Sequence, residues 1–148
     1  MRIYAYAREM MVKNNNPLQW KNTEPPKDKI IRRIKNHFHY IIENNGHICG
    51  AFSLIPGKDP TYAHIDGQWL NDYPYVTIHS IASDGTTKGI LKAAIDYGFE
   101  RINTIRIDTH KDNKVMIHLL EKMGFVHCGV IYLENSEPRQ AYMKTITM

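Results

Sequence analysis

The chain has 148 residues, 43% of them hydrophobic, which suits one folded domain spanning residues 1–148 with a single substantial core and argues against disorder. No apolar run reaches the roughly 18–20 residues needed to cross a bilayer, and the N-terminus, with Arg2, Arg8 and Glu9 scattered along it, does not resemble a signal peptide. Two cysteines, Cys49 and Cys128, are too few for a disulfide scaffold or metal cluster and read as free buried thiols of a cytoplasmic protein; no metal is expected. The net charge of +4 favours anionic partners in general, a phosphate-bearing cofactor as much as nucleic acid.

In chain order, Ile3, Ala7, Met10 and Met11 recur at helical spacing, so the first helix begins almost at Met1 and ends at Asn14-Asn15-Asn16-Pro17. A polar loop through Trp20 and Pro25-Pro26 leads to a second helix on Ile30, Ile31, Ile34 and Phe38, with Pro26 near its entry. Arg32, Arg33 and Lys35 on that helix read as one solvated face, because a nucleic-acid groove wants interleaved aromatics. His39–Glu43 and His47–Leu54 are strands joined through Asn44-Asn45-Gly46, a strong hairpin signal because glycine tolerates positive φ. His37 and His39, two residues apart, do not suit a shared metal.

The segment Tyr62–Trp69 is an aromatic-rich connection with no defined form. Tyr75–Ala82 is a buried strand, and Ile90, Leu91, Ala94, Ile95 and Phe99 make one apolar helix face. Ile105 and Ile107 centre another strand; Val115, Met116, Leu119, Leu120 and Met123 face inward from another helix, with Asp112 or Asn113 as its cap. Asp108-Thr109-His110 reads as a strand end and helix entry. Val126–Leu133 and Gln140–Ile146 close the chain as a hairpin. Together these elements make one mixed α/β (or α+β) domain.

The turn Asp84-Gly85-Thr86-Thr87-Lys88-Gly89 joins a strand to a helix start, where N–H groups lack intrahelical partners and the dipole leaves about half a positive charge. A pyrophosphate suits that end, with Lys88 adding charge and Gly89 allowing close backbone approach. Neither Walker nor dinucleotide glycine spacing is present. On its own the turn fits an ordinary strand-to-helix connection as well.

Strand, Lys-Gly turn, helix, strand and then Asn113-x-x-Met116-x-x-Leu119-Leu120-Glu121-Lys122-x-Gly124-Phe125 closely resembles the GCN5-related N-acetyltransferase (GNAT) family. The resemblance covers nearly the whole chain and implies a twisted mixed central sheet flanked by helices. Two strands splay at a bulge near Ile81, and acetyl-CoA enters there as co-substrate. It implies backbone contacts from Ile81 and Ser83 to the pantetheine arm and a pyrophosphate ringed by Thr86, Thr87, Lys88, Gly89, Ile90 and Leu91. Asn113 then lies beside the pantetheine. The sequence departs from the family at Thr86, where Arg or Gln is usual; at Leu91, which replaces a small residue and crowds the phosphates if it faces them; and at Leu120, where many members carry the tyrosine that protonates the leaving thiolate. The turn is also shorter than the common form.

The implied reaction is direct attack of a primary amine, from a small molecule or peptide, on the thioester. His79, two residues before the bulge, is the candidate base because histidine titrates near neutrality; the alternative is a hydrogen-bonded strand histidine. Tyr132 (or Tyr142) is the candidate acid, and Trp20, Asp66 and Trp69 are candidates to line the acceptor pocket; packing roles compete for each. A catalytically inactive acyl-CoA-binding or interaction module on the same fold is the other reading. The family's first strand is expected to be missing ahead of the first helix, which leaves His39–Glu43 as an exposed edge and predicts either a homodimer by edge pairing or covering of that edge by another segment.

Overall fold

The computed structural model describes residues 2–21 and 25–147. The expected helix start at Met1 lies outside the described residues. The first element described is a helix, α1 (Arg2–Lys13), followed by α2 (Lys27–Lys35), β1 (His39–Asn44) and β2 (His47–Pro56). Next come β3 (Asp66–Gly67), β4 (Val76–Ser83), α3 (Ile90–Phe99), β5 (Thr104–Thr109), α4 (Lys114–Lys122), β6 (Val126–Tyr132) and β7 (Pro138–Thr145). All seven strands form one mixed sheet in the order β1-β2-β4-β5-β7-β6-β3. Among the described residues no strand pairs with the outer side of β1, the feature on which the expected pairing with a second copy rests.

Local chemistry accounts for most of these boundaries. Asn15 takes φ 61° just beyond α1 and lets the chain turn away. Asn45 and Gly46, at φ 52° and 80°, form the two-residue turn between β1 and β2, whose twist matches that of the strands. Asn113 caps α4, its side-chain oxygen accepting from the Met116 amide. β3 was not legible because two residues carry no periodicity; it exists because Gly67 and Gly129 lie back to back. A Cβ on either would stand 2.2 Å from a carbonyl oxygen of the other strand.

The sheet is covered on both faces. Alternation along β2 sends Phe52 and Leu54 to the side of α3 and α4, where they join Ile78, Leu91, Ile95, Ile105, Ile107 and Leu120. Ala51 points the other way, into a smaller cluster with Ile3, Tyr4, Ile30 and Ala82 under α1 and α2. Burial on both faces is why this strand is nearly continuous in apolar and small residues rather than alternating.

One local defect positions everything that follows. Ser53 pairs with His79 while Ala51 pairs with Ala82, so β4 carries one residue more than β2 over the same stretch. The extra residue sits at Ser80 and Ile81, and Ser80 takes φ 52°, a left-handed conformation costing a non-glycine residue about 1–2 kcal/mol. On its other side β4 pairs with β5 in parallel only at Val76–Ile105 and Thr77–Arg106. The two strands then part, opening a wedge beside the bulge.

Candidate active site

A cleft of about 620 Å³ opens at this wedge, lined by His79, Ser80 and Ile81 of the bulge, Asp59, Asp108, Trp20, Arg33, Asn113 and Met116, among others. His79 Nε2 lies 2.8 Å from Asp59 Oδ2. Asp59 is fixed from three further directions: its Oδ1 accepts from the Thr61 amide at 2.9 Å and the Thr61 hydroxyl at 2.7 Å, and its own amide donates to the Tyr75 hydroxyl at 2.8 Å. Burial works to raise the Asp59 carboxyl, but the bonds from His79 and Thr61 overcome it and hold the group at about 2. An ionised Asp59 places the ring proton of His79 on Nε2 and leaves Nδ1 as the acceptor. Among the described residues no protein group bonds that Nδ1.

The folded value of Asp59 lies below the unbound 3.8, so its contribution to stability is present above about pH 4 and is lost as pH falls through 2. Asp59→Asn is expected to flatten the fall of the thermal midpoint between pH 4 and 2, measured against wild type by calorimetry. An unchanged acid slope would contradict the pairing.

Asp108 is the second carboxylate of the floor and accepts from the Tyr62 hydroxyl at 2.5 Å. Burial, then the Asp108 charge, pushes the Tyr62 phenol well up, so it remains a proton donor to the carboxylate. His110 stands apart from this pair: its Nδ1 accepts from the Asp112 amide, the helix-entry arrangement expected for that segment.

Beyond the bulge the chain reaches the turn before α3. Gly89 caps α3 at φ 82°, with nothing within 4 Å of where a Cβ would stand. Gly89 and Lys88 are both exposed at the first turn of α3, whose leading N–H groups have no partner within the helix. Asp84 is engaged by His47 Nε2 at 2.8 Å and Arg2 at 3.3 Å. Bonds from the Thr86 hydroxyl and amide, at 2.6 and 3.0 Å, hold its carboxyl well below the usual carboxylate range.

The expected site residues fall into three groups. His79, Ile81, Asn113 and Trp20 meet in the cleft. Thr87, Lys88, Gly89, Ile90 and Leu91 cluster at the start of α3; the Leu91 side chain is buried among Phe52 and Ile95 and so leaves the phosphate side uncrowded. Thr86 spends its hydroxyl and amide on Asp84, and Ser83 Oγ accepts from the Gly85 amide at 3.0 Å. Asn113 is also engaged, with Nδ2 donating to Gln19 Oε1 at 3.0 Å.

Tyr132, Asp66 and Trp69 stand elsewhere. The Tyr132 hydroxyl donates to Asp66 at 2.8 Å on the β3–β6 edge, away from the cleft lining. The Arg106 guanidinium carbon lies over the rings of both Trp69 and Tyr75, 4.1 Å from each centroid. Tyr142 and Leu120 are buried in the core. Arg33 corrects the solvated-face reading of α2: its Nη1 turns inward, to Ser80 Oγ at 2.8 Å and Ser53 Oγ at 3.2 Å.

Asp59 and Arg33 are the residues that sequence reasoning missed. Asp59-Pro60-Thr61 carries a readable capping signal, an acid ahead of Pro and Thr, yet nothing in it announces a histidine twenty residues on.

Comparison with known proteins agrees with this geometry. No curated protein matches the chain. A GNAT-family acetyltransferase from Streptococcus agalactiae 2603 is 28% identical and superposes with a TM-score of 0.88 over 100% of this chain and 88% of that one. A GNAT-family acetyltransferase from Listeria monocytogenes 4b F2365 is 17% identical, with a TM-score of 0.69 over 98% and 86%. The NatC complex bound to Gag peptide and CoA contains a chain 17% identical, with a TM-score of 0.59 over 98% and 91%. The model of the Acetyltransferase (GNAT) family matches residues 5–125. Because that model spans most of the chain, the protein belongs to the GNAT acetyltransferases.

Proposed function

We propose that the protein transfers the acetyl group of acetyl-CoA to a primary amine by direct attack, with His79 as general base. The observation that carries this reading is the Asp59–His79 pair at 2.8 Å beside the bulge of β4, in a cleft open to solvent. An amine attacks only when neutral, and its ordinary value near ~10 leaves it protonated at pH 7. His79 Nδ1 takes that proton, and Asp59 stabilises the imidazolium and keeps the ring in one tautomer. The nitrogen then bonds to the thioester carbon, main-chain N–H groups at Ser80 and Ile81 face the developing oxyanion, and the carbon–sulfur bond breaks as the nitrogen gives up its second proton to water. A thiol near ~8.5 is a tolerable leaving group, so its thiolate takes up, through water, the proton the nitrogen has shed; His79 returns its own proton to solvent, and no side-chain acid is required.

Acetyl-CoA fits the residues present. Nothing lies within 4 Å of where a Gly89 Cβ would stand, Lys88 adds charge, and Leu91 is withdrawn into the core, which supports a diphosphate against the amides of residues 87–91. Among the described residues no helix is long and apolar enough to cross a membrane; the two free buried cysteines support the cytoplasm as the place of action.

Thiol release from acetyl-CoA, followed with polyamines, amino acids, aminoglycosides and peptide N-termini, tests the reading. Amine-dependent release with acetylated product is expected. Coenzyme A binding without release for any amine would favour the inactive-module alternative.

A further inference from the structure

We propose that Tyr4 and Arg33 are positioning residues for acyl transfer: from two helices they clamp Ser80 and so hold the bulge of β4 in its reactive shape. The proposal rests on the cleft being the acyl-transfer site. A non-glycine residue at φ 52° persists only where its surroundings fix it. At Ser80 both ends are held. The Tyr4 hydroxyl of α1 donates to the Ser80 carbonyl at 2.8 Å, and Arg33 Nη1 of α2 donates to the Ser80 hydroxyl at 2.8 Å.

The clamp reaches across the bulge. The same Arg33 nitrogen donates to Ser53 Oγ at 3.2 Å, and Ser53 is the β2 residue paired with His79. Arg33 therefore ties the residue opposite the base to the residue after it. His39 of β1 completes the ring, with Nδ1 2.9 Å from Ser53 Oγ and Nε2 3.5 Å from the Tyr4 hydroxyl. Burial, then the Arg33 charge, holds His39 below the usual imidazole range, which keeps a second cation out of the network. Tyr4 is buried and meets the ring of Trp20, a cleft-lining residue, at 5.8 Å between centroids.

Among the described residues none of these hydrogen bonds reaches the start of α3, so their loss should lower turnover more than cofactor affinity. The test uses Tyr4→Phe and Arg33→Met in the full chain. The 13C shifts of Ser80 are expected to leave the left-handed range. With the panel amine that gives fastest thiol release from acetyl-CoA, kcat is expected to fall tenfold or more. KM for acetyl-CoA and the calorimetric affinity for coenzyme A should change several-fold less than kcat, because the diphosphate contacts at the start of α3 are untouched. Adding Ser80→Gly to Arg33→Met should return part of kcat, because glycine takes positive φ without strain.

Should Arg33→Met fail to fold, Tyr4→Phe, which removes one oxygen, decides the matter alone. Ser80 shifts that stay left-handed, or kcat within twofold of wild type, overturn the proposal. So do matched losses of kcat, coenzyme A affinity and thermal midpoint, which would mark general support of the fold. Failure of the acetyl-transfer reading itself looks different: no thiol release in wild type.

Discussion

Replacing His79 with alanine is expected to lower kcat about 10²- to 10⁴-fold, the usual yield of one positioned base, while coenzyme A affinity stays within a fewfold. The separation follows from geometry, since His79 bonds Asp59 and stands apart from the amides at the start of α3. Asp59→Asn should cost less than His79→Ala, because asparagine preserves shape but cannot stabilise the imidazolium. Raising the pH should recover activity in both variants as more of the amine becomes neutral on its own. Initial rates across a pH series check this. Turnover by His79→Ala within threefold of wild type at every pH would place the base elsewhere.

Leu120→Ala is the second large effect, and it falls on stability rather than chemistry. Leu120 is fully buried and packs with Ile107, Phe125 and Tyr142 between α4 and the sheet. Removing its three carbons should leave a cavity at a cost of about 2–5 kcal/mol, which at this size lowers the thermal midpoint by roughly 10 °C. At temperatures where the variant is folded, kcat should lie within threefold of wild type. The position matters because its resemblance to a family tyrosine invites a catalytic reading. A variant with wild-type stability and lost turnover would reverse that assignment.

Most of the framework was legible because its signals are local. The 3.6-residue apolar spacing gave four helices, Asn45-Gly46 gave the first hairpin, and Asn113 gave the cap of α4. The helix start after β4 was readable for the same reason: Lys88, Gly89 and the face Ile90, Leu91, Ala94 and Ile95 lie within one short stretch.

The rest of the cleft was not legible, because long-range pairing built it. Asp59 reaches His79, Arg33 reaches Ser53 and Ser80, and Tyr62 reaches Asp108 across 46 positions. Trp69 and Asp66 carry aromatic and acidic signals that fit a pocket, yet Arg106 and Tyr132 engage them. A side chain's type announces what it can bind; only the fold decides which partner arrives. The same logic explains Arg33. Its basic neighbours mark a solvated face, but the positive-φ Ser80 beneath it supplies an inward acceptor that no periodicity reveals.

A crystal structure of the protein soaked with coenzyme A bears most directly on the account. The diphosphate is expected against the main-chain nitrogens of residues 87–91, with the sulfur reaching the wedge beside Ile81 and His79. Density for the nucleotide elsewhere, or none at concentrations that saturate related enzymes, would contradict it.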